Sequence, residues 1–208
     1  VSSIINAITL LSFSPNGKWL ILGDAKGLHF IEDPITSSSL FFSIDTKDSQ
    51  VTSIQWLCEP PPKMNRNIPY VFAGDTSGTI WLIRHQNADV FVTLPHGINQ
   101  LSIIDETRLL AATKNGPMII THNKIENVKS TIPSLSALTA GTASANSSQS
   151  SNSPSENYGV KTSVFKTKAG ALTGDFGGLY ANDYKAIFLA RSEGRLSLAS
   201  LEGKIKVT

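Results

Sequence analysis

Apolar and polar positions fall into short runs along this chain, and the runs recur in one order. Residues 8–13 (ITLLSF) are apolar-rich, Ser14-Pro15-Asn16-Gly17 follows, and 18–22 (KWLIL) is almost continuously apolar. Proline second and glycine fourth are what a tight reversal favours. Gly23-Asp24-Ala25-Lys26-Gly27 then leads into 28–31 (LHFI), and 40–44 (LFFSI) closes the unit. Short apolar runs bounded by Gly, Pro and Asn predict strands. No stretch sustains a 3.6-residue period, so helix content is expected to be low.

The order repeats three more times. The second unit has 51–57 (VTSIQWL), a segment carrying Pro60, Pro61 and Pro62, then 70–73 (YVFA), 79–83 (TIWLI) and 90–94 (VFVTL). The third has 98–104 (INQLSII), 108–112 (RLLAA), 118–121 (MIIT) and a weak fourth strand near 125–128. The fourth has 171–176 (ALTGDF), 186–190 (AIFLA), 196–201 (LSLASL) and 204–207 (KIKV). In every unit the second and third runs are joined by a small residue, three mostly polar residues and a glycine, at 23–27, 74–78, 112–116 and 190–194.

The spacing identifies an architecture. First strands begin near residues 8, 51, 98 and 171, giving steps of 43, 47 and 73. The long step contains 131–159, with nine serines and Glu156 as its only charge. Such a segment cannot bury enough apolar surface to offset its ordering entropy, and is expected to be a flexible insertion between the third and fourth units. Without its 29 residues the step is 44, close to the roughly 40–45 residues of a four-stranded propeller blade. The expectation is therefore an all-β fold, a β-propeller of about four four-stranded blades at 8–45, 51–95, 98–130 and 171–208.

Composition narrows the setting. The chain has 208 residues, 40% hydrophobic, enough to bury a sizeable core. Net charge is +2, which argues neither for nor against nucleic acid, but the basic residues are interleaved with acids and form no strong cluster, so a nucleic-acid partner is not expected. Cys58 is the single cysteine. No internal disulfide can form, and an intracellular compartment, cytoplasmic or nuclear, is expected. No apolar run reaches the roughly 18 residues of a membrane span. A membrane surface could be met only indirectly, through the small basic run Lys161, Lys166 and Lys168. The chain starts at Val1 rather than methionine, which is the expectation for a fragment.

Candidate chemistry is sparse. His29, His85, His96 and His122 are distributed over different units, without the convergence a zinc site needs, and structural roles are expected. Cys58 has no adjacent base to activate it. Asp24 and Asp75 occupy matching places after the second strand, where acids could line a channel-centred enzyme site. The other two units carry Thr113 and Arg191 there, so turn-stabilising bonds to backbone N–H groups are the expected role. Trp19, Trp56 and Trp81 read as packing residues. No phosphate-binding glycine loop, serine elbow or carboxylate pair is present. Neither cofactor nor metal is expected. Ser153-Pro154 is a candidate proline-directed phosphorylation site.

Two stretches carry a resemblance. Residues 10–20 (LLSFSPNGKWL) resemble strand a, turn and strand b of WD-repeat propeller blades, and 71–82 (VFAGDTSGTIWL) resemble strand b, turn and strand c. The Trp-Asp and Gly-His pairs of that family are absent: its Trp-Asp positions hold Ile83-Arg84, Thr121-His122 and Ala199-Ser200, and His96-Gly97 is in reverse order. The family's buried hydrogen-bond network is therefore expected to be missing or rebuilt. Residues 22–31 (LGDAKGLHFI) are also similar to blades of the citron-homology propellers of vesicle-tethering and signalling proteins. The resemblance implies rings of seven or eight blades. Four blades would leave apolar ends, so this chain is expected to be part of a larger ring, completed by further sequence or by a partner chain.

The implied function is a non-enzymatic interaction scaffold within a larger complex, whose loops contact other proteins. The alternatives are a subunit of a trafficking or tethering complex and, less in keeping with these residues, a channel-centred enzyme. The expected contact residues are Asp24 and Lys26, Asp75 and Ser77, Lys114 and Asn115, and Arg191 and Glu193, with the 58–69 insertion as a further contact.

Overall fold

The computed structural model describes residues 7–36, 40–46, 49–57, 70–84, 86–125, 158–167, 170–183, 185–191, 194–201 and 205–207. Its main elements are four antiparallel four-stranded sheets, each a meander in chain order. The first holds β1 (Leu10–Phe13), β2 (Trp19–Gly23), β3 (Gly27–Glu32) and β4 (Leu40–Asp45). The second holds β5 (Val51–Trp56), β6 (Val71–Asp75), β7 (Thr79–Arg84) and β8 (Asn87–Thr93). The third holds β9 (Ile98–Asp105), β10 (Arg108–Thr113), β11 (Gly116–Thr121) and β12 (Lys161–Val164). A short hairpin of β13 (Lys166–Thr167) and β14 (Gly170–Ala171) precedes the fourth sheet, which holds β15 (Phe176–Ala181), β16 (Ala186–Arg191), β17 (Leu196–Ser200) and β18 (Ile205–Val207).

Two boundaries differ from the sequence reading. The fourth strand of the third sheet is Lys161–Val164, paired with β11, and not a strand near 125–128. The serine-rich segment thus lies inside the third unit, between its third and fourth strands, and that unit does not end at residue 130. All four β12 residues are exposed, so the strand carries no apolar alternation to reveal it. The segment itself, with Ser153, lies outside the described residues up to Tyr158, which is buried. The fourth sheet begins at Phe176 rather than 171, because Gly170–Ala171 pairs back onto Lys166–Thr167. The Gly177-Gly178 pair reads as a breaker, yet both residues sit in β15. A Cβ on Gly178 would lie 2.9 Å from Leu189 and 3.4 Å from Ala112; the glycine lets the fourth sheet approach the third.

Side chains alternate between the two faces of each strand, and the register assigns them to three layers. Ile21, Leu28 and Phe30 of the first sheet meet Ile54, Val71, Ala73 and Ile83 of the second. Phe72, Ile80, Leu82 and Phe91 on the other face of the second sheet meet Leu101, Leu109 and Ile120 of the third. Leu110 and Ala112, facing the other way, meet Ile187 and Leu189 of the fourth. The middle sheets are buried on both faces, which explains why their second strands read as continuous apolar runs.

The first strands of successive sheets are also joined by polar groups. Trp56 Nε1 donates to Ser12 Oγ at 2.7 Å. Thr52 Oγ1 donates to the Ile98 carbonyl at 2.6 Å, and Leu101 N donates to Ser53 Oγ at 2.9 Å. Gly178 N and Tyr180 N donate to Gln100 Oε1 and Ser102 Oγ. These bonds fix how one sheet sits on the next, where apolar packing alone would leave the stagger open.

Candidate protein-interaction face

A meander places the end of the second strand beside the start of the first. The turns between second and third strands and the entries into each first strand therefore share one edge of the assembly. The connections flanked by Leu57 and Tyr70, and by Ile125 and Tyr158, leave from the opposite edge. The 58–69 insertion, outside the described residues, is thus entered from the edge away from the glycine turns.

The turns are closed from within. Asp24 is 1% exposed, and its Oδ1 accepts from Lys26 N at 2.8 Å and Gly27 N at 3.0 Å. Its Oδ2 lies 3.0 Å from His29 Nε2, an ion-pair distance without in-line hydrogen-bond geometry. Asp75 is fully buried. Its Oδ1 accepts from Ser77 N at 2.9 Å, Ser77 Oγ at 2.6 Å and Thr79 N at 2.9 Å, and its Oδ2 accepts from Trp81 Nε1 at 2.9 Å. Thr113 Oγ1 donates to the Gly116 carbonyl at 2.7 Å and accepts from Asn115 N at 3.1 Å. Arg191 reaches across to the Thr173 carbonyl at 2.7 Å and lies over the Phe176 ring, 5.1 Å from its centroid.

The glycines have a matching cause. Gly78 has φ +94°, a backbone conformation that favours glycine. A Cβ there would stand 2.5 Å from the Leu94 carbonyl oxygen, and one on Gly27 would stand 1.9 Å from that of Ile44. The turn packs directly on the backbone leading to the next sheet.

The expected contact residues therefore divide. Asp24 and Asp75 point inward and their oxygens are engaged, so the structure removes them from the set of surface contacts. Arg191 is half-buried and occupied; Glu193 lies outside the described residues. Lys26, Ser77, Lys114 and Asn115 are exposed at the turn tips. Asn115 Nδ2 lies 3.0 Å from His96 Nε2, joining that tip to the neighbouring loop.

His29 is set between Asp24 Oδ2 and Ser43 Oγ, the latter 2.9 Å from Nδ1. A serine, histidine and aspartate in line invite comparison with a nucleophilic triad. The second sheet gives the physical reading. Trp81 occupies the corresponding place against Asp75, and an indole cannot shuttle a proton; in both sheets the residue braces the turn acid against the third strand. Sequence reasoning anticipated the turn role of the acids but missed these braces, although both lie five or six residues beyond their acid.

Two other clusters were invisible in the sequence. His122 is 4% exposed, and its ring lies against Phe72 and Phe91 at centroid distances of 5.8 and 5.2 Å. Its Nδ1 is 2.8 Å from the Asn123 carbonyl. Burial holds its pKa below the ordinary histidine value, against the opposing pull of that carbonyl and of Asp105. Tyr158 packs on Phe91, donates to Asp89 Oδ2 at 3.3 Å and lies beneath Arg84. Burial raises its phenol pKa. Among the described residues no cluster of three or more His, Cys, Asp or Glu could hold a metal ion, and no helix is long and apolar enough to cross a membrane.

No protein-family model matches the chain, and no curated protein matches it. Solved structures do. The β-propeller domain of Myceliophteria thermophila Cps50 (Swd1) superposes with a TM-score of 0.57 at 12% identity, covering 94% of this chain and 53% of that one. BBS1N, crystallised in complex with ARL6DN, superposes with a TM-score of 0.56 at 8% identity, covering 98% of this chain and 52% of that one. The fold is that of β-propeller blades, and the chain spans about half the length of these structures.

Proposed function

We propose that the protein is a non-enzymatic interaction scaffold whose second-to-third-strand turns present Lys26, Ser77, Lys114 and Asn115 to a protein partner. The observation that carries this reading is the division of labour within each turn. One residue, Asp24, Asp75 or Thr113, is spent internally to lock the backbone, and the next few are held outward on that locked frame. Preorganised loops of this kind lose little conformational entropy on binding. The acids that could have served a channel-centred reaction are committed to backbone amides and braces, which favours display over catalysis. The complex recorded for BBS1N with ARL6DN supports the same reading as an example of a similarly folded chain that meets another protein. An intracellular setting, inferred from the lone cysteine, accompanies this proposal.

The test compares the chain with its Lys26→Glu/Lys114→Glu variant as baits against an extract of the source cells. Both lysines are exposed, so thermal stability stays within about 0.5 kcal/mol. The expected result is loss of one or more specifically captured proteins. Identical capture by both baits, with folding intact, would sink the assignment of this face.

A further inference from the structure

Each of the four main sheets has its last strand, β4, β8, β12 or β18, at one edge. An edge strand turns unpaired backbone N–H and C=O groups outward, and folded proteins blunt such edges with bulges. Three of the four follow that rule. The register shifts between Phe30 and Ile31 against β4, between Ile80 and Trp81 against β8, and between Leu198 and Ala199 against β18. The β11–β12 pairing runs without a shift, from Thr121 opposite Lys161 to Met118 opposite Val164. It belongs to the third sheet, which packs against a neighbour on both faces, so its edge is the open part.

The register also says which groups are free. Phe165 N donates to the Pro117 carbonyl at 2.9 Å, which continues the ladder by one residue. Backbone groups alternate in direction along an antiparallel strand. Lys161, Ser163 and Phe165 therefore bond toward β11, and the N–H and C=O groups of Thr162 and Val164 face away from it. Among the described residues no strand lies beyond β12. All four β12 side chains are exposed, Val164 by 45%. The charge here has one sign: residues 157–174 hold Lys161, Lys166 and Lys168 and no acid. Lys161 and Lys166, at the two ends of the edge, are exposed and form no ion pair among the described residues.

We infer that β12 is a docking strand for an extended, acid-bearing segment of a partner protein, which adds a fifth strand to the third sheet. Main-chain bonds to Thr162 and Val164 supply the affinity, and alternate side chains supply the choice. Opposite charges across neighbouring strands attract and like charges repel. The lysines that discourage a second copy of the strand from pairing here thus select an acidic one. A peptide lying antiparallel to β12 meets Lys166 and Lys161 five residues apart and takes acids at both places. The residues opposite Val164 and Thr162 lie between them and share the apolar side of Val164, so β-branched residues suit them. This edge is separate from the turn tips, and the inference does not rest on them.

The probe is a labelled, terminally blocked hexapeptide, Glu-Thr-Val-Thr-Val-Glu, titrated with the whole chain and read by fluorescence anisotropy. N-methylation of both valines removes the donors aimed at β12 and keeps the charge, and should weaken binding about tenfold. Lys161→Glu/Lys166→Glu should also weaken it about tenfold, and should take up Lys-Thr-Val-Thr-Val-Lys instead. Both lysines are exposed, so the variant keeps its fold, checked by circular dichroism. Hydrogen exchange locates the contact: the Thr162 and Val164 amides should slow on binding, while that of Ser163, already bonded within the sheet, should not. Failure of the peptide to bind, equal binding of its N-methylated form, or a lysine variant without the reversed preference would overturn the proposal. So would uptake of phosphatidylserine vesicles without uptake of the peptide, which would assign the lysines to an anionic lipid surface.

Discussion

Asp75 is the most informative single position, because four donors converge on one buried carboxylate. In Asp75→Ala the Ser77 donors, at an exposed tip, can turn to water. Thr79 N and the Trp81 indole cannot do so freely, since Trp81 is 8% exposed. Bonds to a charged acceptor contribute about 1.5–3 kcal/mol each, and a buried donor left unmatched costs about 1–3 kcal/mol. The expected loss is about 3–5 kcal/mol, read as a shift of the urea midpoint without a change in slope.

Asp75→Asn separates the two oxygens. If the amide oxygen keeps the turn N–H groups, the amide nitrogen faces Trp81 Nε1, and two donors meet at a distance set for a hydrogen bond. This costs about 2 kcal/mol. Adding Trp81→Phe removes the conflicting donor, so the double variant should be less destabilised than the sum of the singles by about 1–2 kcal/mol. Two changes that add within about 0.3–0.5 kcal/mol behave as independent sites. Additivity here would refute the brace, and a cost under about 1 kcal/mol for Asp75→Ala would refute the closed turn.

Two further outcomes follow from other contacts. Gly27→Ala forces a Cβ against the Ile44 carbonyl oxygen and should cost about 3 kcal/mol by overpacking, whereas Gly194→Ala, with nothing within 4 Å among the described residues, should cost about 1 kcal/mol through its φ of +83°; equal midpoint shifts in denaturation would contradict the packing argument. His122 has a folded pKa below its unfolded value near 6.5 because it is buried, so its contribution is complete above that pH and is lost as pH falls from about 6.5 toward the lower folded value; urea midpoints measured from pH 7.5 to 5 should decline, and His122→Phe should flatten that decline.

The blades were legible because their signals are local. Apolar runs of strand length, the Pro15 and Gly17 turn and the spaced glycines each report on a few neighbouring residues, and the third layer of evidence, the period, only needed the serine-rich segment to be set aside. What stayed hidden depended on distant neighbours. The β12 strand is polar and wholly exposed, and it becomes a strand only because β11 offers it an edge. The Gly177-Gly178 pair reads as a breaker until Ala112, far back in the chain, is placed against Gly178. Tyr158 gives no periodic signal at all, yet it is buried on Phe91 of another sheet.

The position at or just past the end of each second strand shows why a repeat can keep its shape while losing its signature. It is occupied by Asp24, Asp75, Thr113 and Arg191. The two acids accept turn N–H groups, the threonine donates to the Gly116 carbonyl and accepts from Asn115 N, and the arginine reaches the Thr173 carbonyl. The fold requires only that some side chain pin the backbone at this point, and several chemistries satisfy it. Between that residue and the turn glycine, the Lys26 and Lys114 side chains answer to no such requirement and can differ from blade to blade without cost to the frame, whereas Ser77 Oγ still donates to Asp75 Oδ1 and Asn115 Nδ2 meets His96 Nε2. A surface whose frame is locked while its tips vary independently is suited to recognising an irregular protein surface.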